Sequence, residues 1–331
     1  MSVLQLLTTM LEKSVTSMSD SGEKINYSVR PAKCVERKIM CDLVSLFPND
    51  KKTNEYRYIG FGSFYFSDFI LFHQQLGINK MISIEKSENK ERYEYNRPYN
   101  CISIKFCDAQ QALTKEIPFF EDDRDIVWLD YDSVFCKEYM YDVMTAAQKI
   151  NKGSFLFVSF NRSNLPDENR LDSLKKEYGD YLPNLKETEI DYISLPNIIY
   201  TILKNSIEKV LSERNLALEF NLKATSIFFI KYRDGAPMIT IGYYFHDEND
   251  TQFEETLENT SLPGVTNREE PFNLIVPCFT RAEIRDINRY LPGTTADEIY
   301  EKLTYLKKKD IESYVALYKY YPNYLDTPYY T

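Results

Sequence analysis

The sequence predicts an α/β fold built on a mostly parallel sheet of seven strands that closes in an antiparallel hairpin. Three observations predict it. Short apolar strands alternate with helical segments between Arg57 and Phe160, the pattern of a parallel sheet covered on both faces. Two apolar runs, Thr225–Tyr232 and Met238–Phe245, are joined by Arg233-Asp234-Gly235-Ala236-Pro237, and Asp-Gly between such runs marks a hairpin. Hydrophobic residues make up 43% of the 331, which is ample for a packed core and argues against disorder.

Each element can be justified in order. Met1–Lys13 is apolar at helical spacing but lacks the basic start and small-residue cleavage site of an export signal, so it reads as an amphipathic helix. In Pro31–Phe47, Pro31 suits a first helical turn and Pro48 stops the element. Val35, Ile39, Leu43 and Leu46 share one face of it, with Lys33, Arg37 and Lys38 near another. Strands are expected at Arg57–Ile59, Met81–Ile84, Cys101–Phe106, Ile126–Leu129 and Phe155–Phe160, with crossover helices at Ser67–Leu76 and Glu138–Ile150. Residues 162–192 are polar, carry Pro166 and Pro183, and read as an insertion; Leu195–Arg214 returns to helical spacing. Residues 247–270 are acidic and loop-like. From Thr280 to the end two or three helices are expected, the first capped by Thr280 with Glu283 three residues on. The chain thus divides into an N-terminal helical segment (1–50), a sheet domain (51–250) and a C-terminal helical extension (251–331).

Composition excludes several classes. The six cysteines form no Cys-x-x-Cys pair and there are only two histidines, His73 and His246, so no zinc site is assigned. The longest apolar runs are far too short to cross a bilayer, and without export the thiols stay reduced. A soluble, cytoplasmic protein is expected. A net charge of −10 repels a phosphate backbone, so nucleic acid would need a local basic patch. Tyr314, Tyr318, Tyr320, Tyr321, Tyr324, Tyr329 and Tyr330 crowd the last stretch; they suggest a surface for a protein partner, or else half-buried filler.

Four places could carry chemistry. Tyr58-Ile59-Gly60-Phe61-Gly62-Ser63-Phe64 follows a strand and opens towards a helix. Glycines there let the backbone approach a ligand, and the helix start supplies N–H groups; a plain turn is the alternative. Glu85 ends the next strand, where an acid about 20 residues past the glycines can accept from both hydroxyls of a ribose. Its alternative is a solvated start to the charged run Lys86–Arg92. Asp108 follows the third strand and would also cap Ala109–Leu113. Asp130, Tyr131 and Asp132 lie at the carboxyl end of the fourth strand, where open α/β sheets hold ligands. Asp130 is suited to orient or deprotonate a nucleophile and Tyr131 to pack on a planar substrate. Asp130 and Asp132, with Asn161 as a third ligand, make a divalent-metal site conceivable, although two acids ending a strand can simply cap the next helix. Finally, Arg30, Lys33 and Arg37 at three- and four-residue spacing could face one anionic group of a substrate; a solvated helix face paired with Glu36 is the alternative.

This order of elements, with a Gly-x-Gly turn, Glu85, Asp108 and a terminal hairpin, resembles the Rossmann-like class I S-adenosylmethionine-dependent methyltransferases over roughly Tyr56–Phe245. It is similar, more narrowly, to bacterial proteins grouped as O-methyltransferases. The resemblance implies S-adenosylmethionine as cofactor, held by Gly60, Gly62, Ser63, Glu85 and Asp108, with Asp108 meeting the adenine amino group. It implies catalytic or acceptor-facing roles for Asp130, Tyr131 and Asp132, and substrate contacts from Arg30, Lys33, Arg37 and Asn161, the acceptor being unassigned. Two departures matter: Tyr58 stands where the family has an acid that pairs with the cofactor's amino group, and Phe64 where it has a third glycine. They leave open a second reading, an inactive methyltransferase-like binding or assembly module whose pocket Phe64-Tyr65-Phe66 narrows. A nicotinamide-dependent oxidoreductase shares the glycines and Glu85, but the hairpin fits it badly.

Overall fold

The computed structural model describes residues 29–47, 51–162, 169–218, 221–265 and 269–322. Met1–Lys13, Pro166 and Tyr324, Tyr329 and Tyr330 lie outside these. The strands are β1 (Arg57–Gly60), β2 (Lys80–Ile84), β3 (Ile102–Lys105), β4 (Asp125–Val134), β5 (Phe155–Asn161), β6 (Leu222–Asp234), β7 (Ala236–Asp247) and β8 (Phe272–Asn273). They form one sheet in the order β3-β2-β1-β4-β5-β7-β6-β8. The first five are mutually parallel; β7 runs antiparallel to both β5 and β6. The architecture is Rossmann-like, mostly parallel and closed by a hairpin.

Alternation along the central strands explains the two covered faces. Ile126, Trp128, Phe155 and Phe157 enter the core beneath α1 (Pro31–Leu46) and α2 (Ser67–Leu76). Val127, Leu129, Leu156, Val158 and Phe160 enter the other, beneath α4 (Lys137–Lys149) and α6 (Leu195–Leu218). Between these helices in sequence lie α3 (Lys90–Asn96) and, in the insertion, α5 (Arg170–Tyr178). Helices α8 (Arg281–Asn288), α9 (Ala296–Lys302) and α10 (Lys308–Leu317) close a small core of their own around Ile287, Ile299 and Ile311.

The structure corrects several expectations. The sheet has eight strands, because Phe272–Asn273 pairs parallel to Ile230–Lys231 of β6. The acidic stretch 247–270 contains α7 (Thr251–Asn259): Asp250 caps it by accepting from the N–H groups of Gln252 and Phe253, and Phe253 is buried beside Phe47 and Tyr244. The hairpin turn is tighter than expected, since the strands reach Asp234 and Ala236 and only Gly235 lies between them. Strand β4 runs on to Val134, with a register shift between Asp130 and Val134, so Asp130, Tyr131 and Asp132 belong to the strand itself. The tyrosines of the last stretch that the structure describes are spent within the chain. Tyr320 donates to Asp42, Tyr321 to the carbonyl of Pro277, Tyr314 to Asn288, and Tyr318 packs in the C-terminal core.

Helix α1 departs furthest from its sequence reading. Its polar side is buried: Lys33 is 4% exposed and Glu36 fully enclosed. Lys33 Nζ lies 2.6 Å from Asp130 Oδ1 on β4 and 2.9 Å from Glu36 Oε2, 4.3 Å over the ring of Trp128, and donates to the Tyr232 hydroxyl at 3.2 Å. Glu36 accepts in turn from Tyr232 and Thr240. Asp234, at the hairpin tip, accepts from the N–H groups of Ala32 and Lys33 at 3.2 and 2.9 Å. A carboxylate thereby satisfies donors that the first turn of a helix leaves open and meets its positive end.

Removing the cation from this cluster leaves the fully buried Glu36 and the partly buried Asp130 without their counter-ion, a loss of about 3–5 kcal/mol for a broken buried pair. Lys33→Met is therefore expected to lower the unfolding free energy in urea by that amount; a change under about 1 kcal/mol would mean the pair is no stronger than a surface contact.

Candidate functional site

Above the carboxyl ends of β1–β4 lies a cavity of about 1200 Å³, ample for a ligand of cofactor size, since such pockets usually run to about 300–1,000 Å³. Gly62, Ser63, Glu85, Asp108, Asp130, Tyr131 and Asp132 all line it, and so does Arg37. Four successive strand ends supply these groups in the sheet order Asp108, Glu85, Gly62, Asp130, so the row extends over about 14 Å.

The turn after β1 is tightly built. Gly62 N–H donates to Glu85 Oε1 at 2.7 Å and to Ser83 Oγ at 3.0 Å, and the Ser83 hydroxyl donates to the same Glu85 oxygen at 2.5 Å. Glu85 is 5% exposed and is fixed by the loop it faces. A Cβ on Gly62 would come within 2.6 Å of the Phe66 ring and of Ser83 Oγ. Ser63 and Phe66 hold positive φ values of 51° and 45°, which costs a non-glycine residue about 1 kcal/mol or more. Strained backbone at a cavity wall is a mark of functional loops.

Not every expected residue reaches the cavity. Gly60 lies in β1, and the space a Cβ would take is filled by the Tyr58 ring and approached by the Trp128 carbonyl; it packs the wall and does not line the hollow. Arg30 and Lys33 are also absent from the lining. Lys33 is instead the counter-ion of Asp130, and an ammonium 2.6 Å from that carboxylate opposes a divalent cation there. Asn161 ends β5, in register with Met238 and Val134, and does not line the cavity. Among the described residues, no three His, Cys, Asp or Glu side chains cluster as metal ligands would. Tyr131 is buried, its hydroxyl donating to Asp142 Oδ2 at 2.6 Å and its ring stacked on Tyr139 at 3.7 Å, so its face is already covered on one side. Asp108 accepts from the Gln111 N–H at 2.8 Å and thus serves as a helix cap while facing the cavity. Phe64 and Phe66 do not narrow the hollow: Phe64 packs on Tyr93 under the Arg92 guanidinium, and Phe66 packs on Phe69.

Sequence reasoning missed a second wall. Glu138, Tyr141, Asp142, Thr145, Gln148 and Lys149 recur at three- and four-residue spacing along α4 and all face the cavity, a stripe the helical period could have revealed. It also missed Asp68, in the first turn of α2, which lines the cavity at 6% exposure. Burial pushes the Asp142 carboxyl up to about 6, with the Tyr131 hydroxyl pulling it back down and Asp108 adding to the rise. Titratable groups displaced towards neutrality concentrate at functional sites.

The family described as "Putative O-methyltransferase" matches residues 25–329, and the chain belongs to it. Its class is therefore that of the Rossmann-like class I methyltransferases. Among solved structures, Trm1 from Pyrococcus horikoshii in complex with S-adenosyl-L-methionine is 13% identical, the match covering 85% of this chain and 75% of that one at a TM-score of 0.42. M. jannaschii TYW2 in complex with AdoMet is 12% identical over 71% of this chain and 80% of that one, at a TM-score of 0.37. No curated protein matches the chain. Among the described residues no helix is long and apolar enough to cross a membrane.

The raised Asp142 carboxyl sets a testable sign. The folded state binds its proton more tightly than the unfolded chain, so ionising it costs stability as pH rises from about 4 to above 6. Asp142→Asn keeps an acceptor for Tyr131 and removes that ionisation. The variant's Tm relative to wild type should be higher at pH 7.5 than at pH 5; an unchanged difference in thermal denaturation at the two values would show that Asp142 titrates as an ordinary carboxyl.

Proposed function

We propose that this protein transfers a methyl group from S-adenosylmethionine to an oxygen of an acceptor held at the carboxyl end of β4. The observation that carries the reading is the convergence of Gly62, Glu85, Asp108 and Asp130 on one cavity. Their chemistry suits an adenosyl group: a buried carboxylate for a ribose diol and an exposed one beside it for an exocyclic amine, with the Gly62 backbone in the wall between Glu85 and Asp130. When bound there, the cofactor supplies a methyl group already activated on a sulfonium sulfur.

What remains for the chain is placement and a proton. Gly62 and Ser63 form the floor under the cofactor. Glu85 holds the ribose hydroxyls; its fixation by Gly62 and Ser83 means no rotamer freedom is lost on binding. Asp108 accepts from the adenine amino group. Asp130, with Oδ1 engaged by Lys33, is held at a constant orientation and accepts a hydrogen bond from the acceptor hydroxyl, taking up or passing on its proton. Asp132, exposed on the same strand, faces the acceptor side. The acidic lining and the net charge of −10 favour a small neutral or cationic acceptor over nucleic acid. Free thiols at all six cysteines accord with a bacterial cytoplasmic setting.

Calorimetric titration with S-adenosylhomocysteine, the demethylated product, tests the cofactor assignment. Wild type should bind, and Glu85→Gln, which keeps an acceptor for Gly62 while losing the charge, should bind about tenfold more weakly with little change in Tm. Failure of the wild type to bind would instead favour a binding or assembly module; binding of NAD in its place would point to an oxidoreductase.

A further inference from the structure

The end of the cavity beside β1 and β4 is walled by two charges of opposite sign with no role in the scheme above. Arg37 comes from α1 and Asp68 from the first turn of α2; both line the cavity and both are 6% exposed. Tyr58, fully enclosed in β1, donates its hydroxyl to Asp68 Oδ2 while its ring is wedged edge-on between Phe69 and Phe72. This phenol cannot move without disturbing the core, so it fixes the carboxylate it touches. Burial raises the Asp68 carboxyl, the Arg37 guanidinium and the Tyr58 hydroxyl oppose that rise, and Asp130 adds to it. Arg37, Asp68 and Asp130 therefore share one electrostatic neighbourhood.

The two buried charges partly offset each other, and the cavity end they border suits a ligand that carries the complementary pair. An α-amino acid is such a ligand, with an ammonium and a carboxylate on neighbouring atoms. The planar fork of an arginine suits the carboxylate, and a carboxylate suits the ammonium. Strand order puts this end beyond Gly62 from Asp108 and Glu85, where the remaining part of an adenosyl amino acid would lie once adenine and ribose occupy the other two.

We propose that Asp68 and Arg37 form the subsite for the amino-acid tail of the cofactor, Asp68 taking its ammonium and Arg37 its carboxylate, with Tyr58 as the positioning residue for Asp68. This rests on the S-adenosylmethionine reading above. It also gives Tyr58 a purpose: the acid absent from the end of β1 is returned to the cavity ten residues later, one layer out, with the tyrosine as its support.

The test compares S-adenosylhomocysteine with 5′-methylthioadenosine, which has the same nucleoside but no amino-acid tail, by calorimetry on the full chain. Wild type should bind the tailed ligand at least about tenfold more tightly. Asp68→Asn and Arg37→Gln should each erase most of that preference while leaving 5′-methylthioadenosine affinity within about twofold, and Tyr58→Phe should reduce the preference partly. Equal affinity of wild type for the two ligands overturns the subsite but spares the cofactor assignment. Parallel loss of both ligands in the variants also overturns it, since that is the mark of general damage. Binding of neither ligand by wild type overturns the subsite and the cofactor assignment together. Should Asp68→Asn fail to fold, the wild-type comparison and Arg37→Gln still decide.

Discussion

The contact between the buried Lys33 and Asp130 is the constraint on which the rest of this molecule depends. An ammonium this deeply enclosed is tolerable only when its charge and protons are satisfied. The fold meets that demand with Glu36, Tyr232 and Thr240, and Thr240 is linked onward through Ser159, 2.8 Å away, to the indole N–H of Trp128. The network joins α1, β4, β5, β6 and β7 through one polar seam inside an aromatic core. It also fixes the orientation of the acid at the head of the cavity. Core stability and site geometry are here a single requirement.

A second paired charge does comparable work at the opposite end of β4. Arg57 engages Asp125 through Nε at 2.8 Å and through Nη2 at 3.2 Å, and burial still holds the Asp125 carboxyl up at about 6. Strand β4 is thus pinned by an ion pair at its first residue, Asp125, and by another inside it at Asp130, with apolar residues between. That arrangement suits a strand that must present Asp130 to a cavity without sliding in register, since a one-residue slip would exchange its two faces.

Much of the fold was legible because its signals are local. The continuous apolar run Phe155–Phe160, the Asp-Gly turn and the Thr280–Glu283 box each announce a structure that nearby residues enforce. The cavity lining was legible only where the chain reaches it along or just past a strand, as at Gly62, Glu85, Asp108 and Asp130. Lys33 and Gly60 show the limit. A lysine spaced three residues from an arginine looks like a basic face until its counter-ion, 97 positions away, is known. A glycine in a Gly-x-Gly turn looks like ligand space until the tyrosine that fills it is seen. Asp68 and Asp142 carried no motif at all, since their importance comes from which cavity their helices border.

The clasp between Asp234 and the start of α1 spans 202 positions of sequence. During synthesis α1 leaves the ribosome long before its anchor exists, and Lys33 and Glu36 wait in water until Tyr232, Asp234 and Thr240 have been made. The cavity therefore cannot assume its finished shape on a nascent chain shorter than the hairpin. A polypeptide interrupted upstream of that point carries every strand-end acid of the site, yet lacks the hairpin groups that seat the polar side of α1.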